Sequence, residues 1–140
     1  MVDDVVLNKV ASIERCVARV HEEYAAAGAN FATDYSRQDA AILNIQRACE
    51  AALDLGHHLI RRDKLGLPQS ARQVFDLLAQ AGRINLPLAE SLKKMVGFRN
   101  LAVHDYQSLL IPIVVSVITE HLEDFLQFTG TLLRHEQQMN

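Results

Sequence analysis

The run VLNKVASIERCVARVHEEY, residues 6–24, sets its apolar side chains at helical intervals. Two rows repeat every seven positions, the first made of Val6, Ile13 and Val20 and the second of Val10, Val17 and Tyr24. Such rows form one apolar stripe along a helix. We therefore expect a helix over Asp3 to Tyr24 that packs into a bundle core. Alternatively, the stripe could form an interface between two copies of the chain. The charged residues off the stripe should face water: Lys9, Glu14, Arg15, Arg19, Glu22 and Glu23.

The rest of the chain predicts four more helices and no strand, because no segment of five residues alternates cleanly between apolar and polar. Ser36 is a plausible N-cap, with Asp39 at the third helical position as in a capping box. We expect helices from Ser36 to about Arg62, over Ala71 to Gln80, from Pro87 past Arg99, and from Pro112 to about Glu136, followed by a fraying tail. The prediction is an all-α antiparallel bundle of about five helices, a single domain over residues 1–140.

Composition restricts the classes of function. The 140 residues are 49% hydrophobic and 22% charged with a net charge of −3, so any contact with a nucleic acid must be local. The acidic start MVDD does not resemble a signal peptide, and the longest apolar run, residues 109–115, is too short to span a membrane. We expect a cytoplasmic protein without a membrane segment. Cys16 and Cys49 fit no metal-binding spacing and are expected in the core.

The segment RNLAVHDY, residues 99–106, holds the candidate chemistry. His104 follows Arg99 by five residues, a rotation of about 140° on a continuous helix. The two side chains can meet only if the helix ends between them or if two chains share a site. Because Asp105 is a good turn residue, we expect Arg99 on the last turns of the fourth helix and His104 in the following loop. Asn100 is a polar neighbour able to orient Arg99.

An arginine beside a histidine suits the cleavage of phosphodiesters. Arginine holds phosphate oxygens with a planar fork, and histidine exchanges protons near neutral pH. RNA supplies its own nucleophile, the 2′-hydroxyl, so a base, an acid and a cation suffice without a metal. The spacing alone favours an ordinary alternative, a helix-end arginine and a loop histidine that hydrogen-bond to backbone carbonyls.

The run FRNLAVHDY, residues 98–106, resembles the Arg-x4-His-x-Tyr motif of the HepT-like toxins in the HEPN superfamily of helical ribonucleases. Asn100 matches the polar position of that motif. A second segment, ACEAALDLGHHLI at residues 48–60, is similar to the second helix of the family. The resemblance extends over essentially the whole chain in length and element order.

This resemblance implies a homodimer that brings two Arg/His motifs to one cleft. It implies a toxin, an endoribonuclease that works without metal or cofactor through Arg99 and His104, with Asn100 holding Arg99. Such toxins are encoded beside an MntA-like nucleotidyltransferase antitoxin. That antitoxin uses ATP and magnesium to transfer AMP to the motif tyrosine, here Tyr106. We therefore expect Tyr106 to be exposed at the rim of the cleft.

Three further residues are candidates for lining the cleft. Asp54 and His58 lie four apart on the second helix and so share a face, and Lys94 belongs to a small basic edge of the fourth. Asp54 could orient His58, or the two could be an ordinary surface pair.

Two other functions remain open at this stage. One is a non-catalytic helical binding or regulatory subunit of a nucleotidyltransferase, and the other is a dimeric bundle without activity. The intact Arg99 and His104 favour the enzyme.

Overall fold

The computed structural model describes residues 2–139, and every regular element in that range is helical. The α-helices are α1 (Asp4–Ala27), α2 (Tyr35–Asp63), α3 (Ala71–Gln80), α4 (Leu86–His104), α5 (Ile111–Ser116) and α6 (Leu122–Met139). A π-helical turn, Val117–His121, connects α5 directly to α6, so the two form one long helix that contains a π-helical turn. Counted in this way, residues 2–139 contain the five expected helices, and the prediction of an all-α fold is confirmed.

The apolar stripe of α1 is core. Val6, Ile13 and Val20 are fully buried within the single chain, where α1 packs mainly against α2. One expectation for this helix is wrong, because Glu23 does not face water. It is only 5% exposed and accepts hydrogen bonds from Arg19 at 3.0 Å and Arg37 at 2.7 Å. The two guanidinium groups supply the partners that a buried carboxylate requires.

The start of α2 also differs from the prediction. The N-cap is Asp34 rather than Ser36, and its Oδ1 accepts the backbone N–H of Arg37 at 3.1 Å. Aspartate and serine are comparable N-caps, so the sequence alone could not choose between the two positions. With the helix beginning at Tyr35, Asp39 lies beyond the capping positions and its carboxylate is free for a tertiary contact.

An ion pair joins the carboxyl end of α6 to α2. Arg62 of α2 lies 2.7 Å from the Glu136 carboxylate and 2.8 Å from that of Asp63, which also pairs with Arg83 at 2.7 Å. The hydrogen bond from Arg62 is the main reason that the pKa of Asp63 falls to about 2, and Arg83 adds to the effect. The expected loose tail is instead helical to Met139.

Helices α2 and α3 approach most closely at Gly56. A Cβ atom at this position would overlap Cγ1 of Val74, a fully buried residue of α3. Glycine is therefore required here by the close contact of the two helices and not by backbone conformation.

Two further expectations concern membrane segments and the two cysteines. No helix within residues 2–139 is long and apolar enough to cross a membrane. Cys16 and Cys49 are both free and buried, as expected. Burial raises the pKa of the Cys49 thiol to about 12, so this cysteine is an inert core residue.

Candidate catalytic site at the end of α4

Arg99 lies on the side of α4 that packs against α2. It is half-buried, and it is close enough to Cys49 of α2 for its positive charge to act on that thiol. The Nε atom of Arg99 is buried and has no hydrogen-bond partner within residues 2–139. Asn100 is also half-buried, and the described part of the chain contains no hydrogen bond from it to Arg99, so its positioning role stays a prediction.

His104 is the last residue of α4, so the expectation that it lies in the connecting loop is wrong. The backbone N–H of Asp105 still donates to the carbonyl of Leu101 at 2.9 Å, which extends the helix through His104. Asp105 acts as the C-cap and ends the helix after the histidine rather than before it. Arg99 and His104 therefore point about 140° apart on one helix. Arg99 is half-buried beside α2, whereas His104 is exposed.

Tyr106 lies in a 3-10 turn, Tyr106–Ser108, directly after α4, and it is 42% exposed. Its hydroxyl donates a hydrogen bond to Oδ1 of Asp39 on α2. Partial burial of the ring, and next the bond to the Asp39 carboxylate, raise the pKa of Tyr106 to about 12. The turn is fixed by Ser108, whose Oγ lies 2.5 Å from Oδ2 of Asp105.

Sequence reasoning missed the contact between Asp39 and Tyr106. It assigned Asp39 to a capping box that does not form, and the partners are 67 residues apart. The available signal was Asp34, a second good N-cap two residues before Ser36, which would have left Asp39 unassigned.

Two of the candidate cleft residues contact α1 instead of each other. Asp54 pairs with Lys9 at 3.1 Å, and His58 lies 2.6 Å from Oδ2 of Asp3, the N-cap of α1. The idea that Asp54 orients His58 is therefore wrong. Asp54 is also far from Asp39, the residue that Tyr106 contacts, because fifteen residues correspond to about 22 Å along the axis of α2. These contacts assign Asp54 and His58 a structural role between α1 and α2.

Lys94 is exposed on a different side of α4 from Arg99. It lines a pocket of about 230 Å³ between α4 and α5, whose walls include Phe98, Leu101 and Ile113. We call it the α4–α5 apolar surface, and its exposed apolar members are Leu101 and Ile113, with exposed fractions of 41% and 52%.

Known proteins resemble this chain over nearly its whole length. The family model for HepT-like ribonucleases matches residues 13–132. The mRNA nuclease HepT of Shewanella oneidensis is 51% identical over 130 residues, covering 93% of this chain and 97% of that protein.

Two solved structures share the fold closely. A crystal structure of a toxin–antitoxin with AMP-PNP contains a chain that is 48% identical with a TM-score of 0.90, covering 94% of this chain and 99% of that one. The tri-AMPylated Shewanella oneidensis HEPN toxin, solved in complex with an MNT antitoxin, gives the same identity and TM-score over 94% of this chain and 98% of that one.

Proposed function

Because this chain belongs to the HepT-like ribonuclease family, it is the ribonuclease toxin of a toxin–antitoxin pair, and we propose that Arg99 and His104 cleave its RNA substrate. The observation that carries this assignment is the position of the motif. The end of α4 presents an exposed histidine, and the arginine five residues earlier has a buried Nε donor without a partner in residues 2–139. Such a donor suits a phosphate oxygen.

The geometry supports a site shared by two copies of the chain. Arg99 and His104 diverge by about 140° on a continuous helix, so one chain does not point both at the same phosphate. A two-fold dimer solves this problem, because each copy can offer its His104 to the Arg99 of its partner. The α4–α5 apolar surface includes Leu101, three residues before His104 on α4, and supplies the kind of area that a dimer would bury.

The proposed reaction uses the 2′-hydroxyl of the RNA. One His104 takes the hydroxyl proton while the 2′-oxygen bonds to the adjacent phosphorus. The bond from phosphorus to the 5′-oxygen breaks, and that oxygen takes a proton from water. The products carry a 2′,3′-cyclic phosphate and a 5′-hydroxyl. Arg99 stabilises the negative charge that builds on the non-bridging oxygens, and Asn100 is proposed to hold Arg99 in that position.

The partner of this toxin is an MntA-like nucleotidyltransferase antitoxin, and we propose Tyr106 as the residue that receives AMP. Tyr106 is accessible and lies two residues from His104. A tyrosyl-AMP there carries a negative phosphodiester that can pair with Arg99 in place of the RNA phosphate. The adenosine would also fill the cleft. The proposed place of action is the cytoplasm, where mRNA and the antitoxin meet.

The test is RNA cleavage by purified Arg99→Ala and His104→Ala. Each variant should lose cleavage by a factor of about 100 or more while keeping the thermal unfolding midpoint of the wild type, since neither side chain is in the core. Cleavage at the wild-type rate by either folded variant would contradict the assignment. It would leave the binding or regulatory subunit as the better description.

A further inference from the structure

The Tyr106 hydroxyl already has a hydrogen-bond acceptor in the isolated chain, without the antitoxin. Its proton lies on the bond to the Asp39 carboxylate, at the edge where the turn after α4 crosses the first turns of α2. Both residues are exposed, so a second protein can reach this pair from solvent. Within residues 2–139, Asp39 forms no ion pair with a lysine or arginine, so no neighbouring cation neutralises its carboxylate.

We propose that Asp39 is the proton acceptor for the modification of Tyr106, an inference that rests on the proposed function. In this step the Tyr106 Oη forms a bond to the α-phosphorus of a nucleoside triphosphate held by the nucleotidyltransferase. The bond from that phosphorus to the oxygen bridging the α- and β-phosphates breaks, and pyrophosphate leaves. The phenolic proton passes to the Asp39 carboxylate and from there to water.

The environment of Tyr106 explains why a carboxylate is needed. With its pKa raised to about 12, almost none of this tyrosine is phenolate at neutral pH. The hydroxyl must then lose its proton while the new bond to phosphorus forms, and a hydrogen-bonded acceptor makes that transfer direct. The toxin itself thus contributes a group to its own neutralisation, in addition to the tyrosine.

The contact also distinguishes substrate from product. Once AMP is attached, the ester oxygen has no proton to donate to Asp39. The new phosphodiester brings a negative charge close to the carboxylate, and like charges at this range repel. The modified side chain therefore leaves Asp39, and the bond seen here belongs to the unmodified toxin alone.

The experiment compares the wild type with Asp39→Asn, which keeps the shape of the side chain but cannot accept the proton. Asp4→Asn is the matched control, because it removes the same charge from an exposed position at the start of α1. Each protein is incubated with its nucleotidyltransferase, ATP and magnesium at several pH values. Intact-mass spectrometry measures the rate of the first AMP addition, and circular dichroism confirms the fold.

Asp39→Asn should lower the maximal rate by a factor of about 100 at neutral pH with little change in KM for ATP. The deficit should shrink as the pH rises, since hydroxide then removes the proton, and Asp39→Glu should recover part of the rate. A wild-type rate in Asp39→Asn, or a deficit that is constant with pH, would overturn the proposal. Absence of any AMP on the wild type would instead contradict the proposed function, as would equal AMP addition to Tyr106→Phe.

Discussion

The hydroxyl of Tyr106 donates a hydrogen bond to the carboxylate of Asp39, which joins the turn after α4 to the beginning of α2. The contact fixes where the motif tyrosine lies relative to His104, which ends α4 two residues earlier. It also keeps the phenol protonated, because an adjacent negative charge disfavours the phenolate.

Removal of the Asp39 charge should lower the pKa of Tyr106. The wild-type pKa of about 12 reflects burial first and Asp39 second, so Asp39→Asn should move the pKa only part of the way back to the ordinary tyrosine value of 10.0. The change is measured from the ultraviolet absorbance of the phenolate, with Tyr106→Phe used to subtract Tyr24 and Tyr35. An identical titration in wild type and Asp39→Asn would show that the contact does not form in solution.

The Asp63 ion pairs should make stability depend on acid. The folded-state pKa of Asp63, about 2, is below its ordinary value of 3.8, so the stability that these ion pairs contribute is present above pH 3.8 and is lost as the pH falls toward 2. Asp63→Asn should lower the free energy of unfolding by about 1–2 kcal/mol at pH 7, and the difference should disappear in acid. Urea unfolding across this range is the measurement. A difference that persists unchanged below pH 3 would mean that the carboxylate charge is not the cause.

The close approach of α2 and α3 predicts a strong effect of one methyl group. Gly56→Ala should lower the free energy of unfolding by about 1–3 kcal/mol, because its Cβ meets the buried Val74. Gly130→Ala in α6 is the control, since its Cβ would meet only the flexible end of Arg134 at 3.3 Å. Alanine there should be neutral or stabilising by up to about 1 kcal/mol. Equal urea midpoints for the two variants would be inconsistent with this packing.

Much of the fold could be predicted from local patterns. The heptad rows of α1 gave its buried face correctly, since packing against α2 follows from the same apolar spacing. Pro112 correctly marked the first turn of α5, where a proline is tolerated. Exposure of Tyr106 also agreed with the prediction.

The missed features depend on choices that local sequence does not determine. Asp105 could end α4 before or after His104, and the last hydrogen bond of the helix placed the end after it. Glu23 looked like a solvated residue because its partner Arg37 comes from another helix. The Asp39–Tyr106 contact likewise depends on how α2 and α4 pack, and no spacing in the sequence encodes it.

The proposed chemistry requires the 2′-hydroxyl of the substrate and no metal. RNA with a single 2′-deoxy nucleotide at the cleaved position should be left intact at that bond, because the nucleophile is missing. Cleavage of ordinary RNA should continue in excess EDTA and leave a 2′,3′-cyclic phosphate, which mass spectrometry of the fragments identifies. Cleavage beside the deoxy nucleotide, or loss of activity in EDTA, would indicate an attacking water in place of the 2′-oxygen.

The most direct test of the shared site is complementation between two inactive chains. Arg99→Ala and His104→Ala are unfolded together and refolded as a mixture, so that about half of the dimers contain one chain of each kind. If Arg99 of one copy works with His104 of the other, such a dimer keeps one intact pair. The mixture should then recover up to about a quarter of the wild-type rate of RNA cleavage, while each variant alone remains inactive. A mixture that forms mixed dimers, verified by mass, and yet stays as inactive as its components would contradict the account.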